Sequence, residues 1–205
     1  MSVGIVDAGI GNLGSLRNAL YSQGWDPLLV STPDDFFELT HLILPGVGSF
    51  ATAIERLSSL GLLEPIRAFA ASGKPVLGIC LGMQLLATSG SEGGETVGLG
   101  LIPGRVDRLA GTSVRLPHVG WNNVHKVRPH PVCEGIRDDV DFYFVHSYRF
   151  EVADTDCVLA QTSHGEIFPS IVGKANVLGM QFHPEKSQVN GLRLLDNFCL
   201  WDGAC

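Results

Sequence analysis

The sequence lacks a membrane-length apolar run, a paired-cysteine motif and a secretory signal. Its longest apolar stretch without charge covers residues 76–83, far short of the about 18 residues that a transmembrane helix needs. The five cysteines are scattered and include no Cys-x-x-Cys pair, which argues against a disulfide framework and a zinc site. The first residues carry no basic segment, and Asp7 interrupts the apolar stretch of a signal peptide. We therefore expect a cytoplasmic protein that holds no metal.

Positive charge is also scarce. Lys and Arg number 14 against 21 Asp and Glu, and the net charge of −7 is atypical of proteins that bind nucleic acids or anionic membranes. Only 17% of the 205 residues are charged whereas 45% are hydrophobic, which is typical of a globular chain with a large core. No repeat or low-complexity linker marks a boundary. Residues 1–205 are therefore predicted to form a single domain.

Short apolar runs alternate with helical patterns over the first 90 residues or so. Strands are predicted at residues 3–7, 27–30, 41–44 and 76–79. Helices are predicted at residues 12–23, 33–39, 50–60, 62–71 and 80–87. This alternation indicates an α/β fold whose parallel sheet is covered by helices on both faces.

The second half of the sequence has a different pattern of predicted elements. Strand-like segments at residues 119–127, 142–150, 158–161 and 177–182 are separated by turns, and a helical pattern returns only at 191–200. We expect this half to add antiparallel strands to the first-half sheet. The predicted fold is therefore a three-layer αβα arrangement with a central mixed, mostly parallel sheet.

The strongest chemical signal is the segment Gly78-Ile-Cys-Leu-Gly82, between a predicted strand and a predicted helix. It matches the nucleophile elbow, a sharp strand-to-helix turn that exposes its central residue and needs small neighbours. Backbone N–H groups at a helix N-terminus favour a thiolate. Cys80 is the predicted nucleophile, with a small buried structural cysteine as the alternative.

A nucleophilic cysteine needs a base, and seven histidines are available. His183 follows the apolar strand 177–180, and Pro184 keeps the backbone there extended. Residues two apart on extended backbone point to the same side, so Glu185 can accept the imidazole N–H and orient the ring. His183 and Glu185 are the predicted base and orienting carboxylate.

Acyl chemistry also needs N–H donors for the oxyanion. The turn Pro45-Gly-Val-Gly48 follows a predicted strand, and its glycines allow backbone N–H groups to face a ligand or to flip. Gly46, Val47 and Gly48, together with the N–H of Leu81, are the predicted oxyanion hole. An ordinary strand-to-helix turn is the alternative.

A competing signal lies near the N-terminus. Residues 9–14 read Gly-x-Gly-x-x-Gly between a strand and a helix, which is the position of a dinucleotide fingerprint. That fingerprint requires an acidic residue at the end of the second strand, but Val30 is followed by Ser31 and Thr32. A polar glycine-rich loop that contacts another group is the better interpretation.

Taken together, the cysteine elbow, the His-Pro-Glu segment and the Pro-Gly-Val-Gly turn resemble the class I (triad) glutamine amidotransferases, which have a flavodoxin-like fold. The resemblance spans nearly the whole chain and points to the histidine-biosynthesis branch of that family. It is carried by residues 7–15, 45–50, 78–84, 98–104, 117–122, 142–148, 181–187 and 191–198. One departure is Ala8, where the family has tyrosine; it does not touch the triad.

The resemblance implies glutamine hydrolysis through a Cys80 thioester, without a cofactor. It assigns the amino-acid end of glutamine to Gln84 and to the backbone around His146, Ser147 and Tyr148. A solvent-facing helical position is the alternative for Gln84.

The resemblance also implies a partner. This is a (β/α)8-barrel cyclase that forms a heterodimer with the glutaminase and uses its ammonia to make imidazole glycerol phosphate and aminoimidazole carboxamide ribotide. Asn12, Trp121, Tyr143 and Lys186 match interface positions around the ammonia exit, with burial in the core as the alternative.

Two other functions stay open at this point. One is a glutaminase of another pathway, such as pyridoxal phosphate, anthranilate or guanylate synthesis. The other, from a different class, is a nucleotide- or flavin-binding module that uses the loop at residues 9–14.

Overall fold

The computed structural model describes residues 1–110 and 114–204. Within them the chain forms thirteen strands: β1 Val3–Val6, β2 Leu28–Val30, β3 His41–Gly46, β4 Val76–Cys80, β5 Ser89–Gly90, β6 Thr96–Val97, β7 Gly104–Arg108, β8 His118–Lys126, β9 Val140–His146, β10 Tyr148–Val152, β11 Val158–Ser163, β12 Ile167–Lys174 and β13 Val177–Met180. The α-helices are α1 Leu13–Ser22, α2 Phe50–Ser59, α3 Leu63–Ala71, α4 Leu81–Leu85 and α5 Gln188–Leu200. Short 3-10 helices lie at Pro33–Phe36, Pro131–Cys133, Thr155–Cys157 and Pro184–Lys186.

A nine-stranded mixed sheet forms the centre of the molecule. Its strand order is β2-β1-β3-β4-β13-β12-β11-β8-β9. In this order, the five strands β2, β1, β3, β4 and β13 pair in parallel. Each pair from β13–β12 onwards to β8–β9 is antiparallel. A second, four-stranded sheet has the order β10-β7-β5-β6.

The central strands are buried on both faces because helices cover both sides of the sheet. Along β3, the side chain of Ile43 joins the hydrophobic cluster formed with α1 and α5. Its neighbours Leu42 and Leu44 join the opposite cluster, formed with α2 and α3. This period of two is what a strand imposes on its side chains. The predicted three-layer arrangement is present.

Helix boundaries follow local signals. The Asn12 side chain accepts the N–H of Ser15 and caps α1, whose buried residues Leu16, Ala19 and Leu20 lie on one face. Gly24, with φ of 87°, follows the helix. No helix in the described ranges combines the length and the apolarity needed to cross a membrane.

Several predicted elements differ from the structure. The predicted strand 142–150 is two strands, β9 and β10, which belong to different sheets. The sheet containing β5, β6 and β7 was not predicted, since β5 and β6 have only two residues each. Strand β12 was also missed, because Pro169 and Gly173 disfavour a strand in a sequence pattern. Helix 80–87 is shorter than predicted, at Leu81–Leu85.

The described cysteines, Cys80, Cys133, Cys157 and Cys199, are free and buried. Cys205 lies outside the described residues.

Helix α4 packs directly on the backbone of β3, which generates a prediction about stability. A Cβ at Gly82 would overlap the carbonyl oxygen of Leu44. We expect Gly82→Ala to lower the free energy of unfolding by about 3 kcal/mol, as overpacking of a filled interior does.

Chemical denaturation with urea measures this change. The control is Gly14→Ala, an exposed position in α1 with nothing within 4 Å of the added Cβ. There alanine should leave stability unchanged or raise it by up to about 1 kcal/mol. Equal unfolding midpoints for the two variants would contradict the packing argument.

Candidate active site

Cys80 lies at the turn between β4 and α4 in a strained backbone conformation. Its φ of 55° and ψ of −111° are rare for a residue with a side chain. A Cβ at Gly78 would overlap the carbonyl group of Gly82, so this turn requires glycine on both sides of the cysteine. The structure thus has the elbow geometry predicted from the sequence.

A cavity of about 280 Å³ opens at Cys80. It brings together most of the residues predicted for nucleophile, base, oxyanion hole and substrate. Its lining consists of Val47, Gly48, Cys80, Leu81, Gln84, Glu92, Pro117, Val145, His146, Ser147, Tyr148, His183 and Lys186. A larger open groove of about 680 Å³ along residues 126–136 contains none of the predicted site residues.

His183 lies beside Cys80 because β13 is the parallel neighbour of β4 in the sheet. Its Nδ1 lies 2.9 Å from Oε1 of Glu185, and both side chains are 5% exposed. Since Nδ1 serves the carboxylate, Nε2 is the ring nitrogen left for proton exchange with Cys80, whose Sγ donates to the Val145 carbonyl oxygen at 3.6 Å. The two side chains contact each other as their spacing in the sequence predicts.

The pKa of His183 reflects opposing effects. Burial alone lowers it, but the neighbouring Cys80 and Glu185 outweigh burial and raise the pKa to about 9. The imidazolium is therefore the favoured form near neutral pH. Such a ring can give a proton to a leaving group.

The predicted oxyanion turn has a different arrangement from the expected one. The N–H of Val47 donates to the carbonyl oxygen of Ile10 at 2.5 Å, so it does not donate into the cavity. Gly46 pairs with Cys80 in the sheet register, and a Cβ on it would overlap the Leu81 side chain. Gly48 has φ of 103° and open space around it. The N–H of Val47 belongs to the peptide between Gly46 and Val47, and Gly46, which has no Cβ, tolerates a wide range of backbone angles.

Gln84 is buried, not solvent-facing. It is 4% exposed, and its Nε2 lies 3.1 Å from both the Tyr148 carbonyl oxygen and Oε1 of Gln181. The Gln181 amide nitrogen in turn lies 3.9 Å from Sγ of Cys80. His146 uses both ring nitrogens in hydrogen bonds, so its side chain has no nitrogen left to hold a ligand.

Two residues near the cavity were missed from the sequence. Glu92 lines the cavity, and its Oε2 accepts the N–H of Phe50 at 2.8 Å. It lies between β5 and β6, which no sequence pattern predicted. Gln181 precedes Phe182 in the strand-like segment and is fully buried. No local pattern distinguishes it from a core position.

Three of the four predicted partner positions form one surface group. Trp121, 48% exposed, pairs with Tyr143 across β8 and β9, and their rings lie 5.9 Å apart. Nζ of Lys186 lies 5.8 Å from the centre of the Tyr143 ring. Asn12 lines a small cavity together with His183 and Glu185. Tyr143 is only half-buried, so this group is surface and not core.

The described residues contain one group able to ligate a metal ion. His125, Asp138 and Asp139 are all exposed and lie outside the cavity.

The glycine loop at residues 9–14 contacts the oxyanion turn. Ile10 accepts the N–H of Val47, and a Cβ at Gly11 would press on Pro45. Two acids, Asp34 and Asp35, follow β2 after Pro33, and Asp35 accepts the N–H groups of Ser31 and Thr32. This arrangement lacks the ribose-binding acid of a dinucleotide fingerprint.

A family model described as glutamine amidotransferase class-I matches residues 4–201. The chain is similar to imidazole glycerol phosphate synthase subunit HisH from Desulfitobacterium hafniense, with 46% identity over 97% of this chain and 94% of that protein. It is also similar to the HisH subunit from Symbiobacterium thermophilum, with 47% identity over 95% of this chain and 91% of that protein. Among solved structures, PurLQS from Thermotoga maritima has a TM-score of 0.77 at 18% identity over 97% of both chains, a likeness of fold.

The predicted fold class and the family resemblance are both confirmed by these comparisons. With a family match over almost all of its length and relatives above 40% identity, this chain belongs to the class I glutamine amidotransferase family, in its HisH branch.

Proposed function

We propose that this chain is the glutaminase subunit of an imidazole glycerol phosphate synthase in histidine biosynthesis. It hydrolyses glutamine to glutamate and ammonia and passes the ammonia to a second subunit. The observation that carries the proposal is Cys80, strained at the elbow and sharing one cavity with His183, which Glu185 holds at 2.9 Å. The names of the HisH relatives agree with it.

Acylation begins with the Cys80 thiolate attacking the side-chain amide carbon of glutamine. The C–N bond breaks as His183 gives its proton to the departing nitrogen, so ammonia leaves and a glutamyl thioester remains. The neutral His183 then takes a proton from water, and the hydroxide attacks the thioester and releases glutamate. Glu185 binds Nδ1 and so keeps Nε2 of His183 directed towards the reacting groups through both steps.

Glutamine is held by its amino-acid end in the same cavity. The Glu92 carboxylate accepts the α-ammonium group, since its Oε1 is left after Oε2 binds the N–H of Phe50. Gln84 and the backbone of residues 146–148 complete this end of the site. No cofactor takes part in these steps.

The ammonia acceptor is a (β/α)8-barrel cyclase that forms a heterodimer with this chain. Ammonia released into water at neutral pH is protonated and loses its nucleophilicity, so it must move directly to the acceptor. Trp121, Tyr143 and Lys186 form the docking surface, because exposed aromatic residues are enriched at protein interfaces. Asn12 lies at the small cavity behind His183, and we assign it to the ammonia exit.

The cyclase subunit makes imidazole glycerol phosphate and aminoimidazole carboxamide ribotide. Its phosphorylated ligands bind on that subunit, which agrees with the net charge of −7 on this one. The free, buried cysteines support a cytoplasmic location.

Docking also activates the site. Val47 completes the oxyanion hole with Leu81 only when its N–H leaves the carbonyl oxygen of Ile10. This requires the peptide between Gly46 and Val47 to rotate, and the absence of a Cβ at Gly46 favours that rotation. Without it, the developing oxyanion lacks one donor.

The first prediction about activity concerns the nucleophile. Cys80→Ala should lower glutamine hydrolysis by more than about 10³-fold, because the thioester can no longer form. The measurement is glutamate release by the reconstituted synthase. Cys157→Ala removes a free cysteine outside the cavity and should keep the full rate; equal losses in both variants would contradict the assignment.

The second prediction concerns activation. Adding the cyclase and its ribosyl ligand should raise the glutaminase rate by about 10²–10³-fold, the typical effect of one oxyanion-hole donor. Glutamate production is measured with the chain alone, with the cyclase, and with cyclase plus ligand. A full rate for the chain alone would contradict the proposal. Stimulation by a synthase of another pathway would identify that pathway instead.

The third prediction concerns pH. Because the protonated ring gives the proton to ammonia, activity should fall as pH rises through the pKa of about 9 of His183. Glu185→Gln removes a negative charge that favours the imidazolium, so this fall should occur at lower pH. Nitrogen-15 NMR of His183 and the pH dependence of kcat both measure it. An unchanged pKa in Glu185→Gln would contradict the role of the carboxylate.

A further inference from the structure

Three side chains connect strand β8 to the wall of the cavity by hydrogen bonds. The amide nitrogen of Asn122 lies 3.1 Å from Nε2 of His118, and Nδ1 of His118 lies 2.9 Å from Nε2 of His146. Nδ1 of His146 lies 2.8 Å from the carbonyl oxygen of Tyr148, which lines the cavity. A continuous chain of hydrogen bonds therefore runs from Asn122 to Tyr148.

The outer end of this chain fixes which atoms donate. The Asn122 amide nitrogen donates to the Ser163 carbonyl oxygen at 3.0 Å, while its Oδ1 accepts the N–H of Asn123 at 2.9 Å. An amide nitrogen cannot accept, so Nε2 of His118 must be the acceptor. A neutral His118 then carries its hydrogen on Nδ1 and donates to His146.

The inner end requires the same direction. A carbonyl oxygen only accepts, so Nδ1 of His146 must donate to Tyr148. Its Nε2 is then unprotonated and accepts from His118. The two ends therefore impose the same tautomer on both rings, and an added proton on either ring would set two N–H groups against each other.

Packing keeps the rings aligned and neutral. His118 is 3% exposed and stacks between Phe144, at 4.8 Å, and His164, at 4.0 Å. Burial lowers the pKa of His118 to about 4 and that of His146 to about 3. The direction of the chain is thus the same throughout the neutral pH range.

The chain ends where the backbone crosses from one sheet to the other. Only Ser147 separates β9 from β10, and its carbonyl oxygen accepts the N–H of Leu109 at 2.9 Å. The Tyr148 carbonyl oxygen also accepts Nε2 of Gln84 at 3.1 Å. The orientation of this one carbonyl group therefore sets the orientation of both the crossing segment and the Gln84 amide.

We propose that His118 is a positioning residue for glutamine binding, acting through His146 on the Tyr148 carbonyl group and on Gln84. The proposal rests on the proposed function in that the cavity is taken to bind glutamine. His118 lies outside the described lining of the cavity, so it acts only by orienting groups that touch the ligand. Without the Nδ1 donor of His118, Nε2 of His146 has no partner, so the ring is held only by its bond to Tyr148 and no longer keeps that carbonyl group in one orientation.

The tautomers can be read directly by long-range proton–nitrogen NMR correlation on the full chain. Both His118 and His146 should carry hydrogen on Nδ1 and none on Nε2. In His118→Leu, the Nε2 resonance of His146 should move downfield, because this nitrogen no longer accepts a hydrogen bond. A wild-type His146 protonated at Nε2 would overturn the inference.

The effect on the ligand is measured by glutamine titration calorimetry of the reconstituted synthase in a Cys80→Ala background, which prevents turnover. His118→Leu should raise the Kd for glutamine roughly tenfold, equivalent to about 1.4 kcal/mol and near the value of one buried hydrogen bond. His118→Asn places an amide N–H near the position of Nδ1 and should restore most of the affinity. His164→Leu removes a stacking ring but no member of the chain, and should change Kd by less than about twofold.

The same substitutions with Cys80 intact separate binding from chemistry. His118→Leu should raise KM with kcat nearly unchanged, because Cys80, His183 and Glu185 keep their contacts. Equal losses of affinity in the Leu and Asn variants would indicate packing alone and overturn the inference, as would an unaltered Kd in His118→Leu.

A wild type that does not hydrolyse glutamine would overturn the proposed function and the inference with it. An active wild type with an unaffected His118→Leu variant overturns only the inference.

Discussion

The close approach of three backbone segments at Cys80 is the constraint on which the rest of the site depends. Gly46, Gly78 and Gly82 lie where strands β3 and β4 meet helix α4, and none of them has room for a Cβ. This contact holds Cys80 at a positive φ, which a looser turn would relax. Because β3, β4 and β13 are adjacent and parallel, the oxyanion turn, the nucleophile and the base emerge at one edge of the sheet.

The glycine loop at residues 9–14 contacts the oxyanion turn at the same edge of the sheet. Its Ile10 carbonyl oxygen accepts the N–H of Val47, so a segment that resembles a nucleotide fingerprint is instead a neighbour of the oxyanion turn. A sequence pattern describes the flexibility of such a loop but not the group that it meets. Here the group is another part of the same chain.

The sequence is informative where a residue's role depends on its immediate neighbours. Parallel strands read as short apolar runs, and the elbow at Cys80 and the pair His183 and Glu185 are set by spacings of a few residues. Glu92 could not be found this way, because distant segments bring it to the cavity. Gln181 could not be found because its contact is with Gln84, about a hundred residues away along the chain. The direction of the Val47 N–H was also beyond reach, since two peptide orientations fit the same glycines. The strand predicted at 142–150 failed because both sheets use the same kind of alternating sequence.

The connection between β9 and β10 limits where the chain can gain or lose residues. A single residue, Ser147, joins strands that belong to different sheets, so this junction has no slack. An inserted or deleted residue would reverse the facing of every side chain on one of the two strands, carrying Phe144 or Phe150 out of its core. The turn at Gly93 and Gly94, exposed and open, can absorb extra residues without moving either sheet. Length variation in this fold is therefore tolerated at such surface turns and excluded at the wall of the pocket.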